Sequence, residues 1–212
     1  ICFAGPIIGI SGLAAPPDLT ENMLLHPERE HTRYLLLFFA AGIFMAFSYF
    51  QHRIDLFQIN DGIKKLLLIV CLIVSVQFIW EFSHHYYYPE AMKQWIEGGG
   101  KADEFGKSYD DFGIVLIGAI GRLFQFLLIA WISVRLYALR KTKLWNPIIT
   151  LLFSTLGILS AIIIVVTEMN YPKPLEFLFL FFIPGIPFLL LYWIGVAIVS
   201  RTDKDENIAN KT

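Results

Sequence analysis

Long apolar runs separated by short polar ones dominate the chain. The apolar stretches cover about residues 34–51, 65–85, 112–135, 146–168 and 175–200. A hydrocarbon core of about 30 Å takes roughly 20 helical residues, so each run predicts one full membrane-spanning helix. The first fifteen residues, ICFAGPIIGISGLAA, predict a partial sixth span over about 1–15. The chain starts with Ile1 rather than Met. This segment therefore reads as the end of a longer apolar helix, or as the remnant of a processed signal peptide with Ala14 and Ala15 near the cleavage point. The expected fold class is all-α, a polytopic integral membrane helical bundle forming a single transmembrane domain over 1–212.

Between the second and third full spans lies an extramembrane loop over 86–111, too long for a plain connector. Met92, Trp95 and Ile96 recur at helical spacing and predict a short amphipathic helix. Gly98, Gly99 and Gly100 then break it, and a second turn follows around Phe105. Trp95 and Phe105 suit the membrane interface, where amphipathic rings settle.

Orientation follows from basic residues in the loops. Arg53, Lys64, Lys65, Arg135, Arg140, Lys141, Lys143, Arg201, Lys204 and Lys211 fall on one side. They outnumber Arg29, Arg33, Lys93, Lys101, Lys107 and Lys173 on the other, which places the C-terminus in the cytoplasm. The opposite face carries most of the loop carboxylates, among them Glu28, Glu90 and Asp103, and reads as a solvated outer surface.

Composition agrees with this reading. Hydrophobic residues make up 56% of the chain, charged residues 17%, and mean hydropathy is +0.59. A net charge of −1 excludes a globally basic nucleic-acid binder. Cys2 and Cys71 lie in apolar segments and have no metal-ligand spacing.

Charged groups inside spans are costly and must find partners. Arg122, in IGAIGRLFQFLLIAW, lies about 15 Å from the outer start of its helix at 1.5 Å per residue. Gln125 is one turn away on the same face. Gln77, Glu81, His84, His85 and Tyr88 form a single stripe at the end of the second full span. An Arg122–Glu81 pair assisted by Gln77 satisfies the spacing, and Gly113, Gly118 and Gly121 allow close approach of the two helices. This pair is either a packing device or the polar wall of a pocket. Tyr86, Tyr87, Tyr88 and Pro89 read as an interfacial collar that ends the helix. Glu168 and Glu176 flank the turn MNYPKP, and Pro184, Gly185 and Pro187 predict a kink in the last span.

Glu81-x-x-His84 has the spacing of helical carboxylate–histidine metal sites. It lacks the second copy such sites use, so no metal is assigned. Nucleotide-binding loops and a serine nucleophile elbow are absent, and no cofactor is called for.

From about residue 77 to 200 the order of features resembles the EXPERA family, the emopamil-binding-protein-like sterol isomerases and their relatives. The resemblance rests on Glu81, on Trp95 followed by Lys101-Ala102-Asp103, and on Asp110-Asp111-Phe112. It continues through Asn146-Pro147, Thr167-Glu168 and Pro174-Leu175. The resemblance implies five spans, a polar second helix, a long lumenal loop and a sterol-like ligand. The chain departs from the family pattern at Gln77, where the family has histidine. It also departs at Ile117 or Gly118, where the family has an acid, and near Gly185 and Phe188, where it has asparagine and tryptophan.

The leading expectation is a membrane protein holding a lipid-like or sterol-like hydrophobic small molecule in a pocket in the outer half. Gln77, Trp80, Arg122, Gln125 and Glu168 are its candidate ligand-binding residues. Glu81 is the candidate catalytic acid or base for isomerase-type proton transfer. Two alternatives stay open, a non-enzymatic accessory subunit bound to other membrane subunits and a small transporter or channel lined by Arg122.

Overall fold

The computed structural model describes residues 22–54, 60–109, 112–168, 172–182 and 185–209. The sequence segment 1–15 lies outside them, as do Asp110, Asp111 and Pro184. Among the described residues the architecture is entirely helical. The elements are α1 (Asn22–Leu25), α2 (Pro27–Ile54), α3 (Asp61–His85), α4 (Tyr88–Glu97), α5 (Ala102–Tyr109), α6 (Phe112–Ala138) and α7 (Trp145–Thr167). A 3₁₀ helix (Lys173–Phe182) and α8 (Gly185–Ala209) follow.

Three helical stretches among the described residues are long and apolar enough to cross a membrane: Asp61–Glu97, Leu116–Ala138 and Trp145–Thr167. A fourth is counted if the 3₁₀ helix and Ile186–Arg201, bent by 54° from one another, act as one broken span. This corrects the sequence reading of five. The segment 34–51 lies within α2, which is not among the three. The segment 175–200 is not one helix, because a 3₁₀ helix ends at Phe182 and α8 starts afresh at Gly185. Pro187 thus falls in the first turn of α8, where a missing N–H costs no intrahelical bond.

Local chemistry sets the helix ends. Asn60 caps α3, its Oδ1 accepting from the Ile63 N–H at 3.0 Å, and Asp61 places a carboxylate in the first turn. At the other end the Tyr86 N–H bonds to the Phe82 carbonyl, and α4 follows after a single turn with Pro89 near its start. α7 ends at Glu168, which takes a left-handed conformation (φ 47°).

α2 and α3 run antiparallel. Tyr34 meets His85, Phe38 meets Phe82, and the Ser75 hydroxyl donates to the Ala41 carbonyl at 3.1 Å. α6 and α7 form the second close pair, with the Phe126 ring filling the space over Gly157. A Cβ on Gly157 would stand 2.3 Å from that ring, so glycine permits the contact. α3 packs on α6 and joins the two pairs, while the 3₁₀ helix lies on α7. Phe188, early in α8, reaches across to Phe44 of α2 and Phe78 of α3, with ring centroids at 4.3 and 4.6 Å. Lipid tails are as apolar as leucine, so close fit and interhelical hydrogen bonds must hold such a bundle together.

α4 and α5 cap one end of the bundle. Tyr88, Met92 and Phe105 are buried together there, with Leu24 and Trp95 against them. The Trp95 indole N–H donates to the Lys101 carbonyl at 2.9 Å and its ring lies over Gly100. Gly99 takes φ 91°, which suits the turn between the two helices. The tyrosine collar divides: Tyr87 is exposed, whereas Tyr88 is fully buried.

Candidate functional site

The charged and amide side chains of α3 and α6 close into a ring. The Arg122 guanidinium donates from Nη2 to Glu81 Oε1 at 2.7 Å and from Nη1 to Gln125 Oε1 at 3.0 Å. Gln125 in turn donates its amide N–H to Gln77 Oε1. Gln77 closes the circuit, its Nε2 reaching Glu81 Oε1 at 3.3 Å and the Gly118 carbonyl at 3.2 Å. Helical geometry explains the arrangement. Gln77 and Glu81 stand one turn apart on α3, and Arg122 and Gln125 one turn apart on α6. Gly121 lets the two helices approach, since a Cβ there would lie 2.6 Å from Gln77 Oε1.

Burial separates the four members. Gln125 is 0% exposed, Arg122 1% and Gln77 7%, while the Glu81 side chain is 20% exposed. The rings of Phe78 and Phe182 each lie 5.9 Å from the guanidinium carbon, which adds a favourable interaction between cation and ring faces. Within the ring, two atoms are left over among the described residues. Arg122 Nε is buried with no acceptor. Glu81 Oε2 makes no hydrogen bond, because both donors engage Oε1.

The ring therefore unites Gln77, Glu81, Arg122 and Gln125, the residues expected to meet. Trp80 and Glu168 do not join it. Trp80 is 36% exposed and its ring stacks loosely against His84 at 6.5 Å. Glu168 is exposed at the end of α7. His84 packs instead with the ring of Tyr109, whose hydroxyl donates to the His84 carbonyl at 3.0 Å. His31 bridges to Glu90 at 3.1 Å and lies against Tyr86, tying the start of α2 to α4. At the start of α2, backbone hydrogen bonding and His26 beside it hold the Glu28 carboxyl below its ordinary value. Among the described residues no group of three or more His, Cys, Asp or Glu side chains is arranged to hold a metal ion.

A second buried polar node escaped the sequence reading. Near the other ends of α6 and α7, the Ser133 hydroxyl donates to Asn146 Oδ1 at 2.8 Å, and Asn146 Nδ2 reaches the Trp193 carbonyl of α8 at 3.3 Å. The signal was present as a stripe of small and polar residues, Asn146, Thr150, Ser154 and Gly157, at three- and four-residue spacing on α7.

A buried carboxylate held by an arginine and an amide, with one oxygen to spare, can accept a hydrogen bond or exchange a proton. No family model matches the chain, and neither a curated protein nor a solved structure matches it.

Proposed function

We propose that the protein is a multi-pass membrane protein that holds a lipid-like or sterol-like molecule against the Glu81 edge of the polar ring. In this reading α3, α6, α7 and the bent pair of the 3₁₀ helix and α8 cross the bilayer, the α4–α5 end faces outward and the C-terminus is cytoplasmic. Arg135 in the last turn of α6 and Arg140, Lys141 and Lys143 between α6 and α7 support that orientation. The resemblance to the EXPERA family supports the class of ligand.

The observation that carries the reading is the asymmetry of the ring. Three members are sealed, and the fourth, Glu81, keeps a partly exposed side chain with an uncommitted oxygen. A polar atom left reachable inside an apolar span has a use for a polar group on a hydrophobic molecule. Proton transfer by Glu81 fits the same placement, because a general acid or base needs a reachable oxygen. Native mass spectrometry of the detergent-purified chain tests the proposal. An apolar small-molecule adduct is expected on the natural chain and reduced on Glu81→Gln. No adduct on either, or equal adducts on both, would sink it.

The closure of the ring favours a second reading, a structural ion pair in an accessory subunit. There the exposed apolar flanks of α6 and α7, among them Phe124, Trp131 and Leu152, face neighbouring subunits. Stable co-purification with fixed partner chains would favour this alternative, and a ligand-bearing monomer would count against it.

A further inference from the structure

Along the seam between α3 and α6, Gly118 leaves room among the described residues. Gln77 Nε2 reaches both Glu81 Oε1 and the Gly118 carbonyl, so one amide links Gly118 to the carboxylate. A Cβ built on Gly118 meets nothing within 4 Å among the described residues, in contrast to Gly121 one turn on. The residue next to Gly118 on α6 is apolar and open, since Ile117 is 55% exposed. A hydrophobic molecule lying along the seam can thus bring one polar group to Glu81.

Electrostatics select that group. The atom left without a donor is a carboxylate oxygen, Glu81 Oε2, and a carboxylate repels a phosphate, sulfate or carboxylate. The guanidinium that would attract an anion is 1% exposed and sits behind its partner. Glu81 and Arg122 already neutralise each other, so an ammonium group would leave an uncompensated positive charge in a low-dielectric setting. An uncharged donor adds no net charge and satisfies the spare oxygen.

We propose that the seam at Gly118 takes an uncharged hydroxyl-bearing lipid, whose O–H donates to Glu81 Oε2. This rests on the ligand-binding reading above and narrows it to a ligand that is neutral and a hydrogen-bond donor. Gly118 shapes the seam and Glu81 discriminates the head group.

The test is binding to the full chain in phosphatidylcholine nanodiscs, scored against empty nanodiscs. Four tritiated head groups are compared, alcohol, methyl ether, carboxylate and primary amine, each on an octadecyl chain and on a sterol ring. On at least one skeleton the alcohol is expected to bind about tenfold or more tighter than its methyl ether, as suits a hydrogen bond to a charged acceptor. The carboxylate and amine should also bind more weakly. Glu81→Gln replaces the spare oxygen with a donor nitrogen, and the alcohol-to-ether ratio should collapse towards one. Gly118→Leu fills the gap from a Cβ position that meets nothing within 4 Å among the described residues, and should abolish binding of both while thermal stability is kept. If ether, acid or amine binds the natural chain as tightly as alcohol, the hydroxyl assignment is wrong while ligand binding stands. If no compound binds on either skeleton, the ligand-binding reading fails, and this inference fails with it.

Discussion

The two buried polar nodes of this bundle solve the same problem in different ways. The node at Ser133, Asn146 and Trp193 is neutral and links three helices, α6, α7 and α8, through two hydrogen bonds. The ring at Gln77, Glu81, Arg122 and Gln125 links only α3 and α6, yet it holds a full ion pair. Neutral amides and hydroxyls suffice to join helices in lipid, and they carry a far smaller desolvation cost than two ions. A charged pair is therefore an expensive way to achieve assembly alone. The neutral node behaves as a fastener, and the ligand-binding reading gives the costlier charged ring a purpose beyond fastening.

The largest effect should come from removing one charge of the ring. Glu81→Ala leaves the Arg122 guanidinium, 1% exposed, without a counter-charge. Breaking a buried pair from one side typically costs about 3–5 kcal/mol. Thermal or denaturant unfolding in detergent should show a loss of this size, or a failure to accumulate folded protein. The double variant Glu81→Met with Arg122→Met removes both charges and should recover most of that loss. A ring kept only for packing would then leave the double variant functional, with ligand retained. A ring kept for its carboxylate would leave it stable and empty, and that outcome separates the two nodes most sharply.

Next in size is the approach of the helices at the ring. Gly121→Ala would push a Cβ to 2.6 Å from Gln77 Oε1 and displace the bond from Gln125. Overpacking of this kind costs about 1–3 kcal/mol, offset by up to about 1 kcal/mol from alanine's better helix propensity. A net loss of about 1–2 kcal/mol is expected in unfolding measurements. Gly118→Ala, one turn away, meets open space and should be neutral or slightly stabilising. Equal losses at both glycines would contradict the open seam.

How much of this was legible without coordinates differs between the nodes. Arg122 and Glu81 stand out in any reading, because a charge within an apolar run must find a partner and the helical spacing restricts the choices. Gln77 and Gln125 follow by the same spacing. What spacing could not show is that Phe182, on another element, approaches the guanidinium, or that Trp80 points away to His84. Both depend on how whole helices are rotated and broken. The last span shows the same limit. Pro184, Gly185 and Pro187 forecast a kink, but a ten-residue 3₁₀ helix before them has no local signature, and such runs are rarely long. Asn146 and Ser133 were missed because a single neutral polar residue at the edge of an apolar run looks like a helix end. Only the stripe continuing through Thr150 and Ser154 distinguishes a buried face from a solvated terminus.

The smallest effect belongs to the neutral node, and its size matters to the argument. Asn146→Ala removes the acceptor of the Ser133 hydroxyl and the donor to the Trp193 carbonyl. Interhelical hydrogen bonds in membrane proteins contribute on average about 0.6 kcal/mol and rarely more than about 1.7 kcal/mol, since the separated helices find other partners. Unfolding of Asn146→Ala should show a loss within that range. Ser133 can turn its hydroxyl back to its own helix, so Ser133→Ala added to Asn146→Ala should cost little more than Asn146→Ala alone. Ligand retention should be unchanged in both, because the node shares no side chain with the ring. A loss at Asn146 as large as that at Glu81 would mean that charge is not what distinguishes the two nodes. The case for a functional carboxylate would then rest on its uncommitted oxygen alone.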